Sequence, residues 1–161
     1  MSEQENTKSE APQQQFAVQK IYVKDLSFES PDVPDMFRLK WEPNVNIELN
    51  SQGKQLDQNT HEVVLGITVT VKLEEKVAYL VEVQQAGVFN LSGFAENELE
   101  AMLGSYCPNL LYPFAREVIS DMVTKAGFPQ MLLAPVNFDA IYQDHLRRKQ
   151  EQTAANPDSV H

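Results

Sequence analysis

Residues 62–74 read EVVLGITVTVKLE. Val63, Leu65, Ile67, Val69, Val71 and Leu73 share one parity. Glu62, Gly66, Thr68, Thr70, Lys72 and Glu74 share the other, with Val64 the one apolar intruder. Successive side chains of an extended chain point to opposite faces, so this alternation predicts a half-buried antiparallel strand. After a hairpin connection at Glu74-Glu75-Lys76 the pattern returns, with Val77, Tyr79, Val81 and Val83 on one face and Leu80, Glu82 and Gln84 on the other. Upstream, FAVQKIYVKDLSFE at 16–29 reads as a long strand with Leu26 and Phe28 on one side and Asp25, Ser27 and Glu29 on the opposite side. VNIEL puts Val45, Ile47 and Leu49 on one face of a short strand, and Pro31, Pro34 and Pro43 punctuate the loop between these two strands.

Downstream the period changes. Leu99, Met102, Leu103 and Tyr106 follow helical spacing, with Asn97 as the candidate N-cap and Pro108 as an interruption. Leu111, Ala115, Val118, Ile119 and Met122 form a second helical stripe, which Gly127 is placed to end. FPQMLLAPV at 128–136 reads as an apolar loop, and Asn137 then caps a last helix carrying Phe138, Ile141, Tyr142 and Leu146. Strands first and helices after predict an α+β fold, a four-stranded antiparallel sheet with helices packed on one face.

The totals bound the function. The 161 residues suit one domain, with polar tails expected at 1–15 and 149–161 around a folded unit at 16–148. Thirteen basic against 23 acidic residues leave a net charge of −10, which repels phosphate backbones and anionic lipid and favours a basic protein partner. A single cysteine and a polar N-terminus without an apolar core predict a reducing, cytoplasmic location, and no apolar run approaches the length of about 18 residues that a membrane span needs.

Chemistry is sought and not found. Cys107 needs an activating base to serve as a nucleophile, and the spacing brings none of His61, His145 and His161 to it. No Cys-x-x-Cys, histidine pair at helical spacing or Gly-rich phosphate loop occurs, so neither a metal nor a cofactor is expected. Glu74-Glu75 and Glu96, Glu98 and Glu100 suit a solvated turn and a helix N-terminus. The sequence does not read as an enzyme. Two features stand out instead. If the Val63–Leu73 parity faces the helices, then Thr68, Thr70, Leu80, Glu82, Asp25 and Glu29 face outward, either as plain solvated surface or as a docking site for a basic partner. Phe37, Trp41 and the 128–136 loop hold large apolar groups in loops, either lying across the core or forming an interaction surface. An acidic scaffold that binds one folded basic partner accounts for the first feature but not the second.

Four blocks in order, IYVKDLSFESP (21–31), EVQQAGVF (82–89), YCPNLLYPFARE (106–117) and LAPVNFDA (133–140), resemble the SecB family of bacterial protein-export chaperones over about residues 16–148. The resemblance implies a cofactor-free, ATP-independent holdase, assembled as a dimer of dimers, that keeps unfolded precursors competent for translocation and delivers them to the SecA motor ATPase. It implies that Asp25, Glu29, Leu80 and Glu82 dock the motor, and that Val81, Val83 and Gln85 match positions implicated in subunit assembly. It further implies a client groove, for which the candidates are Phe37, Trp41, Val45, Ile47, Leu49, Leu132, Leu133 and Tyr142. By the same resemblance Cys107 is part of a packing block. The chain departs from the family's often acidic C-terminal tail, with only Glu151 and Asp158 as acidic residues beyond residue 150.

Overall fold

The computed structural model describes residues 12–155. Four strands, β1 (Gln15–Glu29), β2 (Pro43–Gln55), β3 (Thr60–Leu73) and β4 (Lys76–Ser92), form one antiparallel sheet in the order β1-β4-β3-β2. The β1–β2 connection therefore crosses the whole sheet, and both strands that it joins are edges. The expected alternation holds on β3, where Val63, Leu65, Ile67, Val69 and Val71 are fully buried and Thr68 and Thr70 are not.

Three irregularities lay beyond a strict period of two. On β1 the register to β4 shifts between Val18 and Lys20 and again between Val23 and Asp25. Phe16, Val18, Ile21, Val23, Leu26 and Phe28 consequently all pair with inward residues of β4, although their spacing alternates between two and three. On β4 a further shift pairs Val71 with Tyr79 but Lys72 with Val77, so Ala78 is the extra residue. Val77, expected beside Tyr79, is thereby removed from the inner row. The hairpin turn is Glu74-Glu75, with Glu74 at a φ of 57°.

The helical half begins with one nearly continuous rod. Helix α1 (Glu96–Ala101) starts after Ala95, not at the expected Asn97, and the Glu98 carboxylate accepts the Ala95 backbone N–H at 3.4 Å. A π turn (Met102–Tyr106) leads straight into α2 (Cys107–Lys125). Pro108 was expected to interrupt the rod, because a proline ring strikes the carbonyl four residues back. Here the Cys107 N–H reaches Met102, five residues back, and the wider turn makes room for the ring. Gly127, at a φ of 90°, ends α2 as expected. Asn137 caps α3 (Phe138–Ala155), with its Oδ1 accepting the Ala140 N–H at 3.0 Å. Residues 149–155, expected as tail, continue this helix; the other tail residues expected, 1–11 and 156–161, lie outside the described residues.

Helix α2 carries two apolar rows. Cys107, Leu111, Ala115, Ile119 and Val123 are fully buried against β3 and β4. Leu110, Phe114, Val118 and Met122, one residue round and continuing the line from Tyr106 of the π turn, are less covered, with Tyr106 and Phe114 exposed. Helix α3 packs chiefly on the π turn. No helix among the described residues is long and apolar enough to cross a membrane.

Candidate functional site

The uncovered part of the inner sheet face makes an apolar groove. Helix α2 lies over β3 and β4, and β2 meets the helical layer chiefly at the π turn. Val45, Ile47 and Leu49 pair with Val71, Val69 and Ile67 and so point inward, yet Val45 and Ile47 remain exposed and Leu49 half-buried. Leu49 and Tyr142 line the same hollow of ≈ 530 Å³ between β2, the π turn and α3. Its floor depends on Gly104, where an added Cβ would stand 2.7 Å from the Tyr142 ring.

The β1–β2 crossover brings Phe37 and Trp41 to the loop after α2. Phe128 is the hub of this end, with ring centroids 5.0 Å from Phe37, 6.0 Å from Trp41, 4.9 Å from Tyr79 and 6.5 Å from Phe28. Phe28, Tyr79 and Phe128 were not among the expected groove residues. The parity shared by Leu26 and Phe28 gave the signal for Phe28, but nothing in the spacing places Phe128 beside two residues from a distant crossover. Two groove candidates lie apart from this hollow. Leu133 is 5% exposed and belongs to the core. Leu132 is 72% exposed but lines a shallow hollow beside Pro113 and Arg116 on α2, not the β2 groove.

The outer face runs in rows across all four strands. Asp25, Gln84, Gly66 and Asn50 form one row; Ser27, Glu82, Thr68 and Glu48 the next; Glu29, Leu80, Thr70 and Asn46 the third. The four residues expected to dock a partner, Asp25, Glu29, Leu80 and Glu82, thus share one patch, and Glu48 joins it from β2. At the other end of the face Lys20, Val88, Glu62 and Lys54 form a row. There the Glu62 carboxylate accepts from the Tyr22 hydroxyl and pairs with Lys24 at 2.8 Å. The Lys24 and Tyr22 hydrogen bonds hold the Glu62 carboxyl below its ordinary range, while burial, reinforced by Glu62, pushes the Tyr22 hydroxyl up to about 12.

Val81, Val83 and Gln85, expected at the subunit interface, are buried within the protomer. Val81 and Val83 have no exposed surface and Gln85 is 2% exposed, so the protomer's own core already covers them. Gln85 donates its Nε2 to the Tyr22 carbonyl at 3.1 Å, next to the second bulge of β1.

Cys107 is fully buried, and burial pushes its thiol up to about 12, the direction opposite to that of a nucleophile. Among the described residues no group of His, Cys, Asp and Glu could hold a metal ion.

Comparison with known proteins shows the family. The family model for preprotein translocase subunit SecB matches residues 9–149. A protein-export protein SecB of Methylococcus capsulatus is 56% identical over 153 residues, covering 95% of this chain and 97% of that one. Its counterpart in Nitrosococcus oceani is 53% identical over 156 residues, covering 96% and 95%. Among solved structures, a SecB-like chaperone of Mycobacterium tuberculosis in complex with an antitoxin peptide superposes with a TM-score of 0.63 at 15% identity, covering 75% of this chain and 90% of that one. That likeness shows the fold. With a family model spanning nearly all of the described residues and relatives more than half identical along the whole chain, this protein belongs to the SecB family of protein-export chaperones and is not an enzyme.

Proposed function

We propose that the chain is an ATP-independent holdase that captures unfolded precursors in the inner groove and hands them to the SecA motor from the outer sheet face. The observation that carries this reading is the separation of the two surfaces by one sheet. Exposed apolar side chains (Val45, Ile47, Phe37) lie on the inner side, and Asp25, Glu29, Glu48 and Glu82 lie on the outer side. Burying one client leucine or phenylalanine contributes about 1.5–3 kcal/mol, so a few anchors along the groove suffice for micromolar capture without sequence specificity. The acidic patch suits a basic docking segment.

The second apolar row of α2 supports assembly into a homotetramer, a dimer of dimers, because Tyr106 and Phe114 are exposed beside an already filled core. Edge strand β1 contributes Val18, Val23 and Leu26, inward in register but exposed. The test is light scattering of an unrelated protein during unfolding. Stoichiometric suppression of aggregation, equal with and without ATP, is the expected result; absence of suppression would refute the holdase reading, leaving the acidic-scaffold alternative.

A further inference from the structure

Only part of the outer sheet face is acidic. Lys20 and Lys54 lie at the two edges of one row, and the second β1 bulge frees Lys24 to reach Glu62 on β3 in that same row. Glu62 is the row's single carboxylate, already engaged by Lys24 and the Tyr22 hydroxyl, so Lys20 and Lys54 stand exposed around a neutralised centre. A chain with a net charge of −10 and 13 basic residues thus places three of those residues at one end of the face that carries its acidic patch. The bulge between Val23 and Asp25 is the boundary, with Lys24 on one side and Asp25 on the other. Along β3, Glu62 precedes Gly66 of the first acidic row by four residues and Thr68 of the Glu82 row by six. At about 3.4 Å per residue these separations are about 14 Å and about 20 Å.

We infer that the Lys20–Lys24–Lys54 end is the second half of the motor-docking surface: it takes carboxylates of the same partner whose basic groups meet Asp25, Glu29 and Glu82, and so fixes which way round the partner lies. The inference rests on the docking reading above. It specifies the partner's chemistry as a surface or segment with acidic and basic clusters about 14–20 Å apart. A uniformly basic partner would meet repulsion at the lysine end and find no preferred orientation along the strands. A bipolar one is attracted in one orientation and repelled in the other.

The test exploits a difference of sign. Lys20→Glu and Lys54→Glu make the chain more acidic, so attraction by net charge alone predicts tighter docking of a basic motor. A bipolar contact predicts weaker docking. Each variant is titrated against purified SecA and, separately, against an unfolded client, beside Glu82→Lys and beside Lys125→Glu, which makes the same charge change on α2. The expected result is motor affinity reduced about five- to tenfold by Lys20→Glu and by Lys54→Glu, little change for Lys125→Glu, and client capture unchanged throughout. Lys20→Gln and Lys54→Gln, which remove a charge without adding one, should show the same direction at smaller size. If Glu82→Lys weakens docking while the lysine variants bind the motor equally or more tightly, the inference is overturned and the docking reading stands. If Glu82→Lys has no effect, the docking reading itself fails. If the lysine variants lose client capture and keep motor docking, the basic end serves clients and the proposal is wrong.

Discussion

The Trp41 and Phe128 rings lie 6.0 Å apart, joining the β1–β2 crossover to the loop that follows α2. Phe128 also packs on Phe37 and Tyr79 and is 5% exposed, so it is a core residue that supports the proposed client-binding residues Phe37 and Trp41 of the crossover. Phe128→Ala should therefore lower stability by about 3–5 kcal/mol and loosen the crossover, with client capture weakened at temperatures where the chain stays folded. Trp41, the chain's only tryptophan, reports both events. Client addition should shift its emission to the blue in the parent and much less in the variant; an equal shift in both would place capture elsewhere.

Leu80 and Val81 are adjacent in the chain and serve opposite faces. Val81→Asp puts an unpaired charge into a site with no exposure and should cost several kcal/mol, read as an early urea midpoint. Leu80→Ala trims a half-buried side chain on the outer face, so it should cost about 1 kcal/mol of stability and act mainly by speeding dissociation from the motor. Matching losses of stability in the two variants would contradict the face assignment.

The contrast between these neighbours also marks what could be read from the residues alone. On β3 and the middle of β4 the parities separate with few exceptions, Val64 and Leu80 among them, so the outward positions of Leu80 and Glu82 followed directly, and those of Asp25 and Glu29 followed from the parity of Leu26 and Phe28 on β1. Where a single extra residue enters, as at Ala78 or in the Val23–Asp25 step, parity flips without any change in composition, and Val77 was misplaced for that reason. Pro108 misled because a proline argues against a regular helix but not against a π turn. The assignment of Val81, Val83 and Gln85 to an interface came from resemblance, and within the protomer all three are buried. The Phe128 cluster gathers residues from four segments distant in sequence, and no local pattern encodes such a contact.

Titration of buried groups should make the protein alkali-sensitive. Burial raises the Cys107 thiol from 9.0 to about 12 and the Tyr79 hydroxyl from 10.0 to about 12. Each folded-state value lies above the unfolded one, so the folded state holds a proton that the unfolded state has lost between them. Stability from this source is complete below about pH 9 and declines towards pH 12, by up to about 1.4 kcal/mol per pH unit for each group. Cys107→Ser removes the first contribution. It should be less stable at neutral pH by about 1–2 kcal/mol while retaining holdase activity, and its disadvantage should shrink as pH rises from 9 to 11. A constant difference across that range would show that the thiol is not held protonated by burial.

Gly104 offers a way to move α3 without touching the sheet. A methyl group there would stand 2.7 Å from two carbons of the Tyr142 ring, too close for any rotamer of a packed aromatic to ignore. Gly104→Ala should displace Tyr142 and loosen α3 from the π turn, while β3 and β4, packed against α2, remain as they are. Amide hydrogen exchange is the measurement: protection should fall across Phe138–Ala155 and hold across Thr60–Ser92. A loss of protection spread evenly over the chain would mean that α3 is part of the core's cooperative unit.

Assembly is best probed from the second row of α2. Phe114 is 49% exposed in the protomer and sits between Leu110 and Val118 on the same side of the helix, one residue round from the row that packs on the sheet. Phe114→Asp leaves Leu111, Ala115 and Ile119 in place, so the protomer should keep nearly its full stability when measured at a concentration where the parent is dissociated. If that row meets another subunit, the same substitution buries an uncompensated carboxylate in an apolar contact, which costs several kcal/mol on assembly. Light scattering at micromolar concentration should then give a mass corresponding to fewer subunits than the parent, with an unchanged circular dichroism spectrum. Val81→Asp, by contrast, should lose mass and structure together, because its side chain lies wholly inside the protomer's core. If Phe114→Asp retained the parent's mass, the row would be free surface. The subunit contacts would then have to be sought along β1, where Val18, Val23 and Leu26 remain exposed.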